Sequence, residues 1–312
     1  MASISQAKIL GIKVLTLGDK RAGLAFSVAP ESGGELSSLR VRRNQRWIEL
    51  LHRANHFEPS QNSWRGRAPW LFPAVGRSFH GGRLGFYALE GQIYPMPIHG
   101  FVMDKKWALV SADAGSIICR TASDETTRAA YPFDFELTVA YSLLPDGFSA
   151  RAEVLSSPSN RRPMPFSLGN HLTLAIPFSR GDAGACTVNT PAGKSLLLSP
   201  QGLLTGGSVP VSCGAGSALL ADPRFFDVVL GGFAPGECWV EVRDPSAVGV
   251  RVRQNVETDC EPLRFVLYRD SAETFLCPEP WHGEPDSLNT GRALARLAPG
   301  ERFEWEMEIT IV

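Results

Sequence analysis

The chain has 312 residues, and its 31 Lys and Arg against 32 Asp and Glu give a formal net charge of −1. No charge excess attracts nucleic acid or an anionic membrane, so both are disfavoured as partners. With 44% hydrophobic and 20% charged residues, the composition excludes a disordered chain and allows a substantial core. The 30 Gly and 23 Pro favour many short strands over a few long helices.

Cysteine usage and the first residues indicate the compartment. The six cysteines are scattered singly, with no C-x-x-C pair and no neighbouring histidine to make a zinc knuckle, so we expect free thiols and no zinc site. Residues 1–20 hold no long apolar segment before a small-residue cleavage site. No stretch approaches the roughly 18 apolar residues of a membrane span. We expect a cytoplasmic protein, and the sequence favours no particular oligomeric state.

Alternation of apolar and polar residues with period two is the dominant pattern and predicts β-strands. The turn at 145–147 (PDG) joins two of these strands as a hairpin. In chain order the predicted strands span 24–28, 47–51, 117–121, 135–143, 148–154, 226–230, 239–243, 248–253, 263–268 and 303–311.

One helix is predicted, over 123–130, with Ser123 as its N-cap and Pro132 ending it. Residues 179–217, rich in Gly, Ser and Pro, are predicted to form loops and short edge strands. So many short antiparallel strands imply an all-β fold, either a large antiparallel β-sandwich or a barrel. No composition shift marks a linker, so we expect a single domain over residues 1–312.

Two histidines and one glutamate stand in local settings that favour a site. Prolines fix the approach to His99, and Gly100 leaves room for a backbone or ligand to come close. His171 follows a predicted strand end. Prolines on both sides of Glu279 forbid a helix and hold its carboxylate in one direction beside Trp281. Alternatively, each histidine binds a backbone carbonyl in a turn, and Glu279 lies in an exposed rigid loop.

These candidates fall among six segments that, in order and spacing, resemble the motifs of the aldose 1-epimerase (galactose mutarotase-like) family. The resemblance covers nearly the whole chain and implies an antiparallel β-supersandwich whose open face binds a hexose. The segments are 69–77 (PWLFPAVGR), 97–101 (PIHGF), 131–135 (YPFDF), 164–171 (MPFSLGNH), 226–227 (FD) and 279–283 (EPWHG).

The resemblance also implies a role for each site residue. In such enzymes a glutamate is the general base, one histidine is the general acid, and a second histidine with an arginine and an aspartate holds the sugar. Carried over by motif, Glu279 is the base, His171 the acid and His99 the supporting histidine. Arg77 is then the sugar-contacting arginine, and Asp227 accepts from a sugar hydroxyl.

The tryptophans and two departures from the family pattern bear on the substrate. Trp281 or Trp70 could stack on the apolar face of a sugar, although either could equally belong to the core. Asn170 stands where a glycine is common, and 172–174 (LTL) replaces the usual Pro-aromatic stretch. These departures affect the expected sugar more than the chemistry.

The residue types suit anomer interconversion on chemical grounds. The reaction removes the proton from O1, protonates the ring oxygen O5, and closes the open aldehyde on its other face, so one base and one acid suffice. A buried carboxylate can serve as the base, and a histidine with an unperturbed pKa of about 6.5 can serve as the acid. We therefore interpret the chain as an aldose 1-epimerase, an isomerase of carbohydrate metabolism, and expect it to use no cofactor and no metal.

Two alternatives stay open from the sequence. A hexose-6-phosphate mutarotase would need a basic cluster, and Arg65, Arg67, Arg161 and Arg162 are its candidates, although short arginine pairs are more often solvated surface. A carbohydrate-binding protein without catalytic activity would have the same fold. Retention of both histidines and the glutamate argues against it, because binding alone needs no acid–base pair.

Overall fold

The computed structural model describes residues 1–53, 57, 66–179, 181–211, 218–220, 222–256, 261–269 and 274–312. In this part of the chain, the strands of the first half are β1 (Ala2–Ile9), β2 (Ile12–Asp19), β3 (Leu24–Ala29), β4 (Glu35–Arg43), β5 (Arg46–Glu49), β6 (Trp70–Leu71), β7 (Phe79–His80), β8 (Arg83–Leu84), β9 (Phe86–Leu89), β10 (Gln92–Pro95), β11 (Ala108–Ala112), β12 (Ser116–Ala122), β13 (Phe135–Leu144) and β14 (Gly147–Ser156).

The second half continues in the same manner. Its strands are β15 (Met164–Phe166), β16 (Leu168–Asn170), β17 (Leu174–Ala175), β18 (Thr187–Asn189), β19 (Lys194–Leu198), β20 (Leu204–Pro210), β21 (Ala218–Leu219), β22 (Val228–Gly231), β23 (Trp239–Arg243), β24 (Gly249–Val256), β25 (Leu263–Tyr268), β26 (Phe275–His282), β27 (Ala295–Leu297) and β28 (Arg302–Ile311). The helical elements are α1 (Glu125–Ala130), α2 (Ser287–Thr290) and 3-10 turns at Val102–Asp104, Ala183–Ala185 and Pro223–Phe225.

Three large antiparallel sheets form the body of the molecule. Their strand orders are β1-β2-β3-β4-β5, then β11-β12-β13-β14-β28-β24-β23-β18-β21, and then β20-β19-β22-β25-β26-β16-β6 with β17 also paired to β26. Aromatic side chains join the sheets: Phe26 contacts Phe148, and the Trp70 ring meets the Trp305 ring edge-on at 5.7 Å. The predicted all-β antiparallel sandwich is confirmed.

The strongest local patterns are confirmed with their register. Strands β13 and β14 form the predicted hairpin, pairing from Phe135 with Ser156 to Leu144 with Gly147. Along β28 the side chains of Trp305, Met307 and Ile309 are buried while the alternate residues are partly exposed. Period-two alternation therefore marked one wet and one dry face, as expected of an antiparallel sheet.

Three predicted boundaries were wrong. Helix α1 begins at Glu125, and its N-cap is Asp124 instead of Ser123, because Asp124 and Thr127 satisfy each other's backbone N–H groups. The strand predicted at 226–230 begins at Val228, after a 3-10 turn. The strand predicted at 47–51 ends at Glu49. In the part of 179–217 that the structure describes, β18, β19 and β20 agree with the predicted short strands.

Candidate active site

A break in the sheet beside β26 creates the site. On one side β26 pairs with β25, but on the other side β16 reaches residues 281 and 282 and β17 reaches 275 and 276. The stretch between them contains Pro278 and Pro280, which have no N–H to donate to a ladder. The interrupted pairing therefore tolerates both prolines in a central strand. Glu279 pairs with Val266 of β25 on one side. On its other side it faces the segment between β16 and β17, which is not paired with β26.

His171 lies in that segment, directly after β16. Its backbone N–H donates to the Pro69 carbonyl at 2.9 Å, which fixes the residue against the strand that leads into β6. Its Nε2 lies 3.3 Å from Oε1 of Glu279, and both side chains are 2% exposed. Two unprotonated acceptors would repel each other at this distance, so the contact is favourable when a proton lies between the two atoms.

His99 approaches the pair from a strained loop. Its φ is +66°, and its backbone N–H donates to the Gly76 carbonyl at 2.9 Å. Its Nδ1 accepts from the Gly76 N–H at 3.1 Å, so the neutral ring carries its proton on Nε2. The ring lies 5.3 Å from that of His171 and nearly perpendicular to it. A Cβ on Gly100 would lie 2.1 Å from the Phe72 oxygen, which explains the glycine after His99.

All six residues selected from the sequence line one cavity of about 240 Å³. The structure brings Arg77, His99, His171, Asp227, Glu279 and Trp281 together from five separate parts of the chain. Trp70, the alternative stacking residue, is instead fully buried in the core, where its Nε1 donates to the Tyr141 hydroxyl at 2.6 Å.

The other residues that line the cavity carry no motif in the sequence. Tyr268 and Val266 extend the lining along β25, and Leu198 with Val229 adds an apolar side. The only signal for Tyr268 was its position at the end of the predicted strand 263–268. Alternation places it on the face of Val266, but nothing local shows that this face borders a cavity.

Arg77 and Asp227 lie at the rim, where both side chains are exposed. Arg77 donates from Nη1 to the Gln201 carbonyl at 3.0 Å. Gly202 follows with φ +74°, and a Cβ there would lie 2.6 Å from the same nitrogen. The 199–203 turn is therefore shaped around the guanidinium, which no local signal predicted.

Burial controls the electrostatics of the site. It raises the pKa of Glu279 well above its usual value, the nearby Trp281 indole acts against that shift, and the Asp227 charge adds to it. Burial also lowers the pKa of His99 well below its usual value, and His171 and Arg77 lower it further. Glu279 therefore keeps its proton to higher pH than an exposed glutamate, while His99 stays neutral.

Two buried polar atoms of the cavity have no hydrogen-bond partner among the described residues. They are Oε2 of Glu279 and Nε1 of Trp281. The Trp281 indole is near enough to Glu279 to oppose the rise in its pKa, but the two residues form no well-aligned hydrogen bond, so a ligand hydroxyl that both accepts and donates would suit both atoms. One potential metal-ligating atom from each of His99, His171 and Glu279 lies within 4.8 Å of the other two, so a divalent cation could also bind here.

Solved structures share this fold. A galactose mutarotase related enzyme from Lactobacillus acidophilus is 20% identical, with a TM-score of 0.78 over 93% of this chain and 95% of that one. A galactose mutarotase-like protein from Clostridium acetobutylicum is 18% identical, with a TM-score of 0.77 over 99% and 98%. A galactose 1-epimerase from Lactobacillus acidophilus is 16% identical, with a TM-score of 0.73 over 100% and 98%. The chain therefore has the all-β galactose mutarotase-like fold.

A family model described as aldose 1-epimerase matches residues 13–220, more than half of the chain. The chain belongs to the aldose 1-epimerase family. No curated protein matches it in sequence. Within the described residues, no helix combines the length and apolarity needed to cross a bilayer.

Proposed function

We propose that the protein is a mutarotase that interconverts the α and β anomers of a free hexose. The observation that carries this proposal is the buried His171–Glu279 contact at 3.3 Å, which opens onto a cavity containing the sugar-binding residue types. Membership of the aldose 1-epimerase family supports a sugar as the substrate. A buried acid beside a buried base is costly to fold, and a site that only binds would not need it.

The reaction follows from the proton positions. Glu279, as carboxylate, removes the proton from O1 while His171, as imidazolium, donates from Nε2 to O5, and the C1–O5 bond breaks to give the open aldehyde. After rotation about C1–C2, O5 attacks the other face of C1, His171 recovers the O5 proton, and Glu279 returns its proton to O1. The cycle consumes nothing, and the two residues end as they began.

Burial makes this exchange feasible at neutral pH. It raises the pKa of Glu279 well above its usual value, which makes the carboxylate a stronger base toward a sugar hydroxyl. A carboxylate with an ordinary pKa would be too weak a base for a sugar hydroxyl. In the complex, Trp281 would cover the apolar face of the ring, while neutral His99 donates from Nε2 to a hydroxyl.

The described arginines favour a free hexose over its 6-phosphate. Arg77 lines the cavity, but Arg67 is buried in an ion pair with Glu35 at 3.0 Å. Arg161 and Arg162 line a separate groove, where Arg162 pairs with Glu90. Arg65 lies outside the described residues. A phosphate group taken out of water requires several charged hydrogen-bond donors. Apart from Arg77, the described candidate arginines lie outside the cavity.

Polarimetry on α-glucose, α-galactose and α-glucose 6-phosphate tests the proposal. We expect faster equilibration of a free hexose than of the 6-phosphate, measured as kcat/KM. Equilibration at the spontaneous rate for all three sugars would favour a binding protein. A clear preference for the 6-phosphate would favour the alternative mutarotase.

Substitution of the remote arginines should leave free-hexose turnover intact. We expect Arg161→Ala and Arg162→Ala to keep kcat/KM within about twofold of the native value, because neither residue lines the cavity. Arg77→Ala removes a residue that lines the cavity. It is the matched comparison and should lower kcat/KM. A loss in the remote variants equal to that in Arg77→Ala would contradict the assignment.

His99→Asn should act mainly on sugar binding. A neutral donor that contacts the sugar in both ground and transition states contributes uniform binding, so we expect KM to rise about tenfold with a smaller fall in kcat. Initial rates over a range of hexose concentrations separate the two constants. A fall confined to kcat would instead make His99 a proton-transfer group.

A further inference from the structure

We propose that the Thr173 hydroxyl positions His171 by holding a proton on its Nδ1, so that the ring exchanges protons with substrate through Nε2 alone. The kinetic consequence rests on the proposed mutarotase function. The tautomer itself rests on the contacts of the described residues and can be measured without any substrate.

Thr173 is placed firmly behind His171. Its backbone N–H donates to the Arg67 carbonyl and its carbonyl accepts from the His52 N–H, both at 2.9 Å. The side chain is 1% exposed. In an extended segment residues i and i+2 project to the same face, so His171 and Thr173 point the same way. On the neighbouring strand Cys277 and Glu279 share the corresponding face for the same reason.

The Thr173 hydroxyl has three contacts. Oγ1 lies 3.5 Å from Nδ1 of His171 and 3.3 Å from the His171 carbonyl oxygen. The Cys277 thiol donates to Oγ1 at 3.5 Å. Burial raises the pKa of that thiol well above its usual value, so Cys277 remains a neutral S–H donor.

Counting donors and acceptors decides the direction of each bond. A threonine hydroxyl has one hydrogen to donate and two lone pairs. The carbonyl of His171 can only accept, so it takes the hydroxyl hydrogen. Both lone pairs of Oγ1 are then available to donors, one to the Cys277 S–H and the other to an N–H on Nδ1 of His171.

A proton on Nδ1 of His171 determines the state of Nε2, the ring nitrogen that faces Glu279. With the proton on Nδ1, Nε2 of neutral His171 is unprotonated and can only accept a hydrogen bond. The proton in the 3.3 Å contact with Glu279 then belongs to the carboxyl group. Shuttling that proton converts neutral acid and imidazole into carboxylate and imidazolium without a tautomer change. A fixed tautomer is what an orienting group behind a catalytic histidine supplies. His99, with its proton on Nε2, has the opposite tautomer.

The test is 15N NMR of histidine-labelled protein without sugar, with the His171 signals assigned by their loss in His171→Asn. We expect an Nδ1–H signal for His171 in the native protein and in Thr173→Ser, which keeps the hydroxyl. Thr173→Val removes the hydroxyl at nearly constant volume and should shift His171 toward Nε2–H. Cys277→Ala should keep the native tautomer.

Turnover gives a second readout. A general acid contributes roughly 10²–10⁴-fold to kcat. In Thr173→Val only part of the His171 population should have the wrong tautomer, so we expect kcat to fall about tenfold with little change in KM. Thr121→Val, a buried threonine on β12, controls for loss of a hydroxyl elsewhere. An Nε2–H tautomer in native His171, or a Thr173→Val variant with native tautomer and native kcat, would overturn the proposal. Native protein with Nδ1–H but no mutarotase activity would overturn only the proposed function.

Discussion

Glu279→Gln is expected to lower kcat for anomer interconversion by roughly 10²–10⁴-fold, the usual contribution of one general base. The amide has the shape of the carboxyl group but cannot remove the O1 proton. Because glutamine has nearly the size and shape of glutamate, the substitution should leave the packing around this buried residue in place. Polarimetry with α-hexose measures the loss, and Glu306→Gln on β28 is the matched control outside the cavity.

The same variant carries a pH-dependent change in stability that shows whether the fold is intact. The pKa of Glu279 lies above its unfolded value of about 4.5, so the folded protein binds the proton more tightly and stability falls as pH rises above that value. Gln does not titrate. We therefore expect the free energy of unfolding of Glu279→Gln, taken relative to that of the native protein at the same pH, to rise between pH 4.5 and pH 8. Urea unfolding measures it, and a pH-independent difference would contradict the buried-carboxyl assignment.

His171→Asn is expected to lower kcat by a similar factor of roughly 10²–10⁴, since the variant loses the group that we propose protonates O5. KM should change little, because the proton transfer occurs only in the transition state. This separates His171 from His99, whose substitution should act mainly on KM. His80→Asn, on β7 outside the cavity, is the matched control. A native kcat in His171→Asn would remove the residue from the mechanism.

The sequence predicted the parts of the fold that depend on near neighbours. The hairpin of β13 and β14 follows from alternation and a turn signal within one short stretch. The break beside β26 does not, because it depends on where β16 and β17 stop pairing with a strand over a hundred residues away. Flanking prolines signalled that Glu279 was unusual, but only the sheet shows that it is buried.

The same distinction holds for the candidate site. The six lining residues were found because motifs resembling a family marked them. Trp70 and Trp281 are both preceded by proline, yet tertiary packing places Trp70 between two sheets and Trp281 on the cavity. The hydroxyl of Thr173 was outside any motif, and its place behind His171 depends on its contact with Cys277 from another strand.

The most direct test of the acid–base pair is the polarimetric rate of the double variant Glu279→Gln with His171→Asn. In the proposed mechanism the two residues act together in one cycle of proton transfers, so removing the second should cost little once the first is gone. We expect kcat of the double variant to lie within about tenfold of that of the slower single variant. Losses that multiply, so that the double variant shows the product of the two single effects, would contradict it.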